Sequence, residues 1–140
     1  MSPREPGLEH RVQRQTRRIF SQHRQLDEMY ELLLRKVDQG TAEPVQEVFR
    51  SFEQALDAHF SLEEEHTFPA VRGLHPELDA ALATLVREHG AFRRYLEKLR
   101  SLLERQELGA FGAPLEALAL RLAEHEGHEE QLLEKAEPEP

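Results

Sequence analysis

The chain has 140 residues, 32% charged and 39% apolar, with a net charge of −9 and no cysteine. That length makes one domain with a core of its own. The acidic balance speaks against nucleic acid or an anionic membrane as partner, and the lack of thiols excludes disulfides, iron–sulfur clusters, thiolate zinc sites, covalent c-type haem and cysteine nucleophiles.

No apolar run reaches the roughly 18 residues a spanning helix needs, and "MSPREPGLEHRVQRQ" holds no stretch that could act as a signal peptide. A cytoplasmic protein is the default expectation. Ala, Leu, Glu, Arg and Gln dominate and β-branched residues are scarce, which favours helices. The first helix follows Pro3, Pro6 and Gly7 and runs to about Asp38. "QGTAEP" (39–44) is a turn, with Thr41 as N-cap and Pro44 in the first turn of the next helix. That second helix runs until "FPAVRGLHP" (68–76) ends it. Pro76 opens a third helix, to about Gln106, "LGAFGAP" (108–114) breaks it, and a fourth covers roughly 114–136. Four such helices on short loops predict an all-α, up-down-up-down antiparallel four-helix bundle over 8–136, with flexible termini at 1–7 and 137–140.

Spacing that alternates between three and four picks out one seam per helix. The first carries Val12, Thr16, Ile19, His23, Leu26, Tyr30, Leu33 and Val37; the second Phe49, Phe52, Leu56, His59, Glu63, His66 and Ala70. The third carries Leu78, Leu82, Leu85, His89, Phe92, Leu96, Leu99 and Leu103; the fourth Leu115, Leu118, Leu122, His125, Glu129, Leu132 and Ala136. Each seam is mostly apolar and holds a histidine near its helix's midpoint. Midpoints of antiparallel helices share one height, so His23, His59, His89 and His125 are expected in one layer. Glu63 and Glu129 each follow a histidine by four residues, on the same face about 6 Å further along.

A single core histidine is ordinarily hydrogen-bonded and inert. Four of them with two facing carboxylates are not, because a buried carboxylate costs several kcal/mol unless paired or coordinated, and no lysine or arginine lies on the seams. Imidazole and carboxylate donors without sulfur suit iron, manganese or zinc. Six such ligands suit two ions. If both glutamates bridge, each ion takes two histidines and two carboxylate oxygens, leaving room for a bridging oxo or hydroxo group and an exogenous ligand.

His23, "HFSLEEEHTFP" with His59 and Glu63, "EHGAFRRYL" with His89, and "HEGHEEQLL" with His125 and Glu129 together resemble the hemerythrin-like (HHE cation-binding) domains over roughly residues 10–136. The resemblance implies a four-helix bundle around a non-haem di-iron centre: two iron ions with an oxo or hydroxo bridge. The oxygen-carrying hemerythrins are similar in the first two helices but carry H-x-x-x-H in the third, where this chain has Arg93. In the fourth they carry H-x-x-x-x-D; here Glu130 stands at the fifth place after His125 and Glu129 at the fourth. Glu129 is the expected ligand because it lies on the seam, whereas Glu130 points away in a regular helix. The absent histidine leaves one ion less saturated and argues against reversible oxygen carriage.

Other polar residues read as ordinary. His66 lies on the second seam near its end and is expected to be partly exposed; His128 is off the seam and reads as surface. Asp27 flanks the first seam, as a hydrogen-bond partner of His23 or a solvated carboxylate, and Tyr30 reads as a core tyrosine. His10 and His75 carry no signal. Arg93, Arg94 and Lys98 read as a solvated face.

The expected function is a hemerythrin-like di-iron protein that binds or turns over O2, peroxide or NO as its small-molecule ligand, with peroxidase-like, catalase-like or NO-reactive chemistry as the enzymatic form. One alternative is an iron or oxygen sensor acting through a protein partner. Another is ferritin-like iron oxidation or storage, for which only Glu63-x-x-His66 has the required Glu-x-x-His spacing on a seam. A b-type haem between two histidines would leave the two glutamates unexplained.

Overall fold

The computed structural model describes residues 7–40 and 42–137. Helix α1 spans Leu8–Gln39 and α2 spans Ala42–Leu62; a π-helical turn, Glu63–Thr67, joins α2 to α3, Phe68–Leu74. A 3-10 turn, Pro76–Leu78, precedes α4, Asp79–Glu104, and another, Leu108–Ala110, precedes α5, Gly112–Ala136. The backbone stays helical through Leu62, Thr67 and Phe68, so α2, the π turn and α3 form one rod. The four rods α1, α2–α3, α4 and α5 make the expected all-α four-helix bundle, in which α1 and α4 each pack against α2 and α5. Among the described residues there is no strand, and no helix is long and apolar enough to cross a membrane. Thr41, expected as an N-cap, lies outside the described residues, as do the termini expected to be flexible apart from Gly7 and Glu137.

Three of the rods bury the seams their spacing predicts, with Tyr30, Val37 and Leu78 only half-buried. The second differs. The helix does end within "FPAVRGLHP", but only at Leu74, well past the Phe68–Pro69 pair. A proline inside a helix lacks its N–H and crowds the carbonyl four residues back, which for Pro69 is Glu65. The π turn widens the chain there, with the Phe68 N–H bonded to the Glu63 carbonyl, so the proline is tolerated. The helix ends where Pro76 keeps His75 out of the helical region, at φ −131 and ψ 78. The extra residue in the wide turn also advances the seam. Thr67, Val71 and Leu74 point inward, and His66, counted on the seam by heptad spacing, is exposed.

The apolar core comes in two halves. One joins Leu26, Phe49, Phe52, Leu56, Phe60, Leu96, Phe111 and Leu118 with their neighbours; the other joins Val12, Ile19, Phe68, Val71, Leu82, Leu85 and Leu133 with theirs. Between them lies a layer of buried polar side chains.

Candidate metal centre

The polar layer holds all six residues singled out from spacing. His23 comes from α1, His59 from α2, Glu63 from the π turn, His89 from α4, and His125 and Glu129 from α5; each is at most 4% exposed. They fall into two groups, His23–His59–Glu63–Glu129 and Glu63–His89–His125–Glu129, in which one donor atom from each residue lies within 4.8 Å of all the others. Both glutamates belong to both groups because each spans two imidazoles. Glu129 lies 3.0 Å from His23 Nε2 through one oxygen and 3.6 Å from His125 Nε2 through the other. Glu63 Oε1 lies 3.2 Å from His59 Nε2 and 3.3 Å from His89 Nε2.

The outward nitrogens of the rings are all engaged. His23 Nδ1 lies 3.1 Å from Glu130, His59 Nδ1 2.6 Å from the Gln22 carbonyl oxygen, His89 Nδ1 2.6 Å from Glu64 and His125 Nδ1 2.8 Å from Glu88. All four partners are acceptors, so each Nδ1–H donates outward and each Nε2 turns inward, that of His23 carrying a second proton toward Glu129 Oε1 at 3.0 Å until a cation replaces it. This is the tautomer a metal requires, with the outer acceptor aiming the ring and making it a better donor. The donations run round the bundle, α1 to α5, α5 to α4, α4 to the π turn and α2 to α1.

These outer acceptors are what spacing along one helix missed. Glu130 points away from the cluster, as expected, yet it holds the back of His23; Asp27, weighed for that place, is exposed. A signal did exist, since each acceptor is the sequence neighbour of a cluster residue: Gln22 of His23, Glu64 of Glu63, Glu88 of His89 and Glu130 of Glu129. Arg93 is no free solvated residue. It bonds Asp57 at 2.9 Å and Glu64 at 3.0 Å, with its guanidinium 5.5 Å above the Phe60 ring, and so braces the acceptor of His89. His66, His128 and His10 are exposed and outside the cluster. His75 is half-buried and reaches the Ala136 carbonyl at 3.0 Å.

Left to themselves these groups are poorly satisfied. Both oxygens of Glu63, one of Glu129, and Nε2 of His89 and His125 are buried without a hydrogen-bond partner, against the rule that buried polar atoms are bonded. Burial pushes Glu63 up to about 8, with Glu126 and Glu64 adding to it. Burial and the facing Glu63 push Glu129 up to about 8 as well. Burial drives His59 down to about 4 and His89 to about 2, the latter helped by His125 and Arg93. Burial acts against charge on His23 too, but Glu129 outweighs it and raises that ring to about 8. Cations placed among the inward atoms would satisfy every orphan and take up the negative charge.

Fold and site together define a four-helix bundle with a buried histidine–glutamate layer whose donor set fits metal cations. The hemerythrin HHE cation binding domain matches this chain over residues 15–136. The chain belongs to that family, whose domain binds metal cations. Neither the curated proteins nor the solved structures yield a match.

Proposed function

We propose that the chain is a hemerythrin-like di-iron protein that reacts with O2, peroxide or NO. The observation that carries the reading is the pair of four-residue groups sharing Glu63 and Glu129. His23 and His59 would hold one ion, His89 and His125 the other, and the two glutamates would bridge. The family and the sulfur-free donor set favour iron, and when bound the two irons would supply the electrons for reducing a small oxygen or nitrogen species. The chain's own residues aim four imidazoles, keep their Nδ1 protons on outer acceptors, and line one side with Phe60, Phe68 and Phe92, which exclude water. Two divalent ions would offset most of the negative charge of the two shared carboxylates and of the outer acceptors Glu64, Glu88 and Glu130, which a largely dry core needs.

A ferritin-like reading loses its support, because exposed His66 cannot join Glu63 at one ion. Metal analysis with an absorption spectrum tests the proposal. The expected result is about two irons per chain with near-ultraviolet charge-transfer absorption, and oxidation of the reduced protein by O2 or peroxide; one zinc per chain or a Soret band overturns it. Within the same measurement, Glu129→Gln should cost most of the bound iron and Glu130→Gln much less. The opposite order would make Glu130 the ligand.

A further inference from the structure

The cluster has an internal pseudo-symmetry. His59–Glu63–Glu64 on the second rod matches His125–Glu129–Glu130 on α5, and the pair Glu88–His89 on α4 matches Gln22–His23 on α1. One substitution breaks the match: a neutral amide, Gln22, stands where a carboxylate, Glu88, stands in the other half. Three imidazoles therefore donate to carboxylates, while His59 donates to an amide oxygen at 2.6 Å.

The surroundings divide along the same line. Phe60 stacks on His89 with ring centroids 4.0 Å apart, Phe68 stacks on it at 5.9 Å, and Phe92 meets His125 edge-on at 5.2 Å. Arg93 fixes Glu64 from outside. On the opposite side a groove of about 520 Å3 runs between α1 and α2, with His59 and Gln22 among its lining residues and Arg18, Glu65 and His66 around them.

We infer that the two cation positions are unequal: the His89–His125 position fills first and tightly, and the His23–His59 position fills second and exchanges through the α1/α2 groove, with Gln22 the positioning residue that weakens it. This rests on the two-ion reading above. A carboxylate behind an imidazole makes it the stronger donor, and such outer partners change metal affinity by roughly 10–100-fold. An amide carries no net charge and strengthens the ring less. Repulsion between two dications would stage the filling of even a symmetric site, so staging alone decides nothing. What decides is which step each substitution moves.

The test is an anaerobic titration of the metal-free full-length chain with Co2+, followed by its visible absorption, and then chelator competition. Gln22→Glu should tighten the second step about tenfold and leave the first unchanged. Gln22→Leu should weaken only the second step and speed loss of that ion to chelator, and Glu64→Gln should weaken the first. A gain of affinity in Gln22→Glu is something a merely structural residue would not give. The inference is overturned if Gln22→Glu moves the first step or neither, or, should that variant misfold, if Gln22→Leu leaves the second step unmoved. If the unmodified chain binds fewer than two Co2+, it is the two-ion reading that fails.

Discussion

Replacing Glu63 with glutamine is expected to make the metal-free protein more heat-stable while ending its uptake of two cations. In the metal-free protein Glu63 is fully buried, faces Glu129 and has both oxygens without partners. Its charge is disfavoured there, as the upward displacement to about 8 records. Glutamine keeps the shape and is neutral without taking up a proton. Its amide also carries two N–H donors, and two inward lone pairs, His59 Nε2 and His89 Nε2, lie 3.2 and 3.3 Å from Glu63 Oε1. Folding at pH 7 must protonate a glutamate that is ionised in the unfolded chain, and sparing the metal-free protein that step gains on the order of 2 kcal/mol, or roughly 6 °C in Tm for a domain of this size. The same change takes one anionic ligand from both ions at once, since Glu63 is common to both groups. Thermal melts in chelator and metal analysis after reconstitution read the two effects separately. A variant that melts lower than the unmodified chain in chelator, or that still holds two ions, would contradict this account.

The opposition between fold stability and cation binding explains why the polar layer lies between two apolar halves rather than within one. Leu26, Leu56, Phe92 and Leu122 flank it on one side, and Ile19 and Leu85 belong to the other half. Each rod thus contributes apolar burial, independent of the layer, that holds the bundle while polar atoms of the layer itself go unsatisfied. Every rod also contributes at least one inward donor, so a cation bound at the centre would tie all four together.

Spacing in the sequence was enough to find the four rods, their seams and the six inward donors, because the helical period repeats undisturbed along α1, α4 and α5. Along the second rod it is disturbed once. The π turn at Glu63–Thr67 adds a residue that heptad counting cannot register, so the counted seam passes through His66, which is exposed, where Thr67 is the buried residue, and Pro69 is accommodated within the helix. The outer acceptors stand beside cluster residues in the sequence, but which imidazole each one meets was not legible, for a different reason. Whether Gln22 meets His59, or Glu64 meets His89, depends on which helix stands next to which, and spacing along one helix carries no such information. Arg93 shows the limit well. Counted from His89 it marks a ligand position left empty, whereas in the fold it acts sideways, on Glu64 and Phe60.

The metal-free protein is expected to lose stability as the pH rises from about 5 to about 9, while cation binding strengthens over the same interval. Glu63 and Glu129, raised from 4.5 to about 8, and Glu126, raised to about 7 chiefly by burial, take up protons on folding. Their contribution is fully present below about pH 4.5 and disappears as the pH climbs through about 8. His23, raised to about 8 by Glu129 against the effect of burial, acts in the same direction, with its contribution complete below 6.5. His59 and His89 act the other way. Lowered by burial, they contribute stability above pH 6.5 that is lost as the pH falls through about 4 and then about 2. The curve for metal-free protein should therefore peak near pH 4.5, where the two sets of groups change over, and fall on the alkaline side until about pH 8, each net proton taken up on folding costing about 1.4 kcal/mol per pH unit. Cations reverse the alkaline limb, because they bind the deprotonated donors and must expel the protons those donors hold. Urea unfolding from pH 5 to 9, in chelator and with saturating Zn2+, gives both curves, and proton release on adding Zn2+ at pH 7 gives an independent reading. A metal-free stability that is level or rising between pH 6 and 9 would mean that Glu63 and Glu129 are already ionised at neutrality, and that the buried pair does not hold the protons assigned to it.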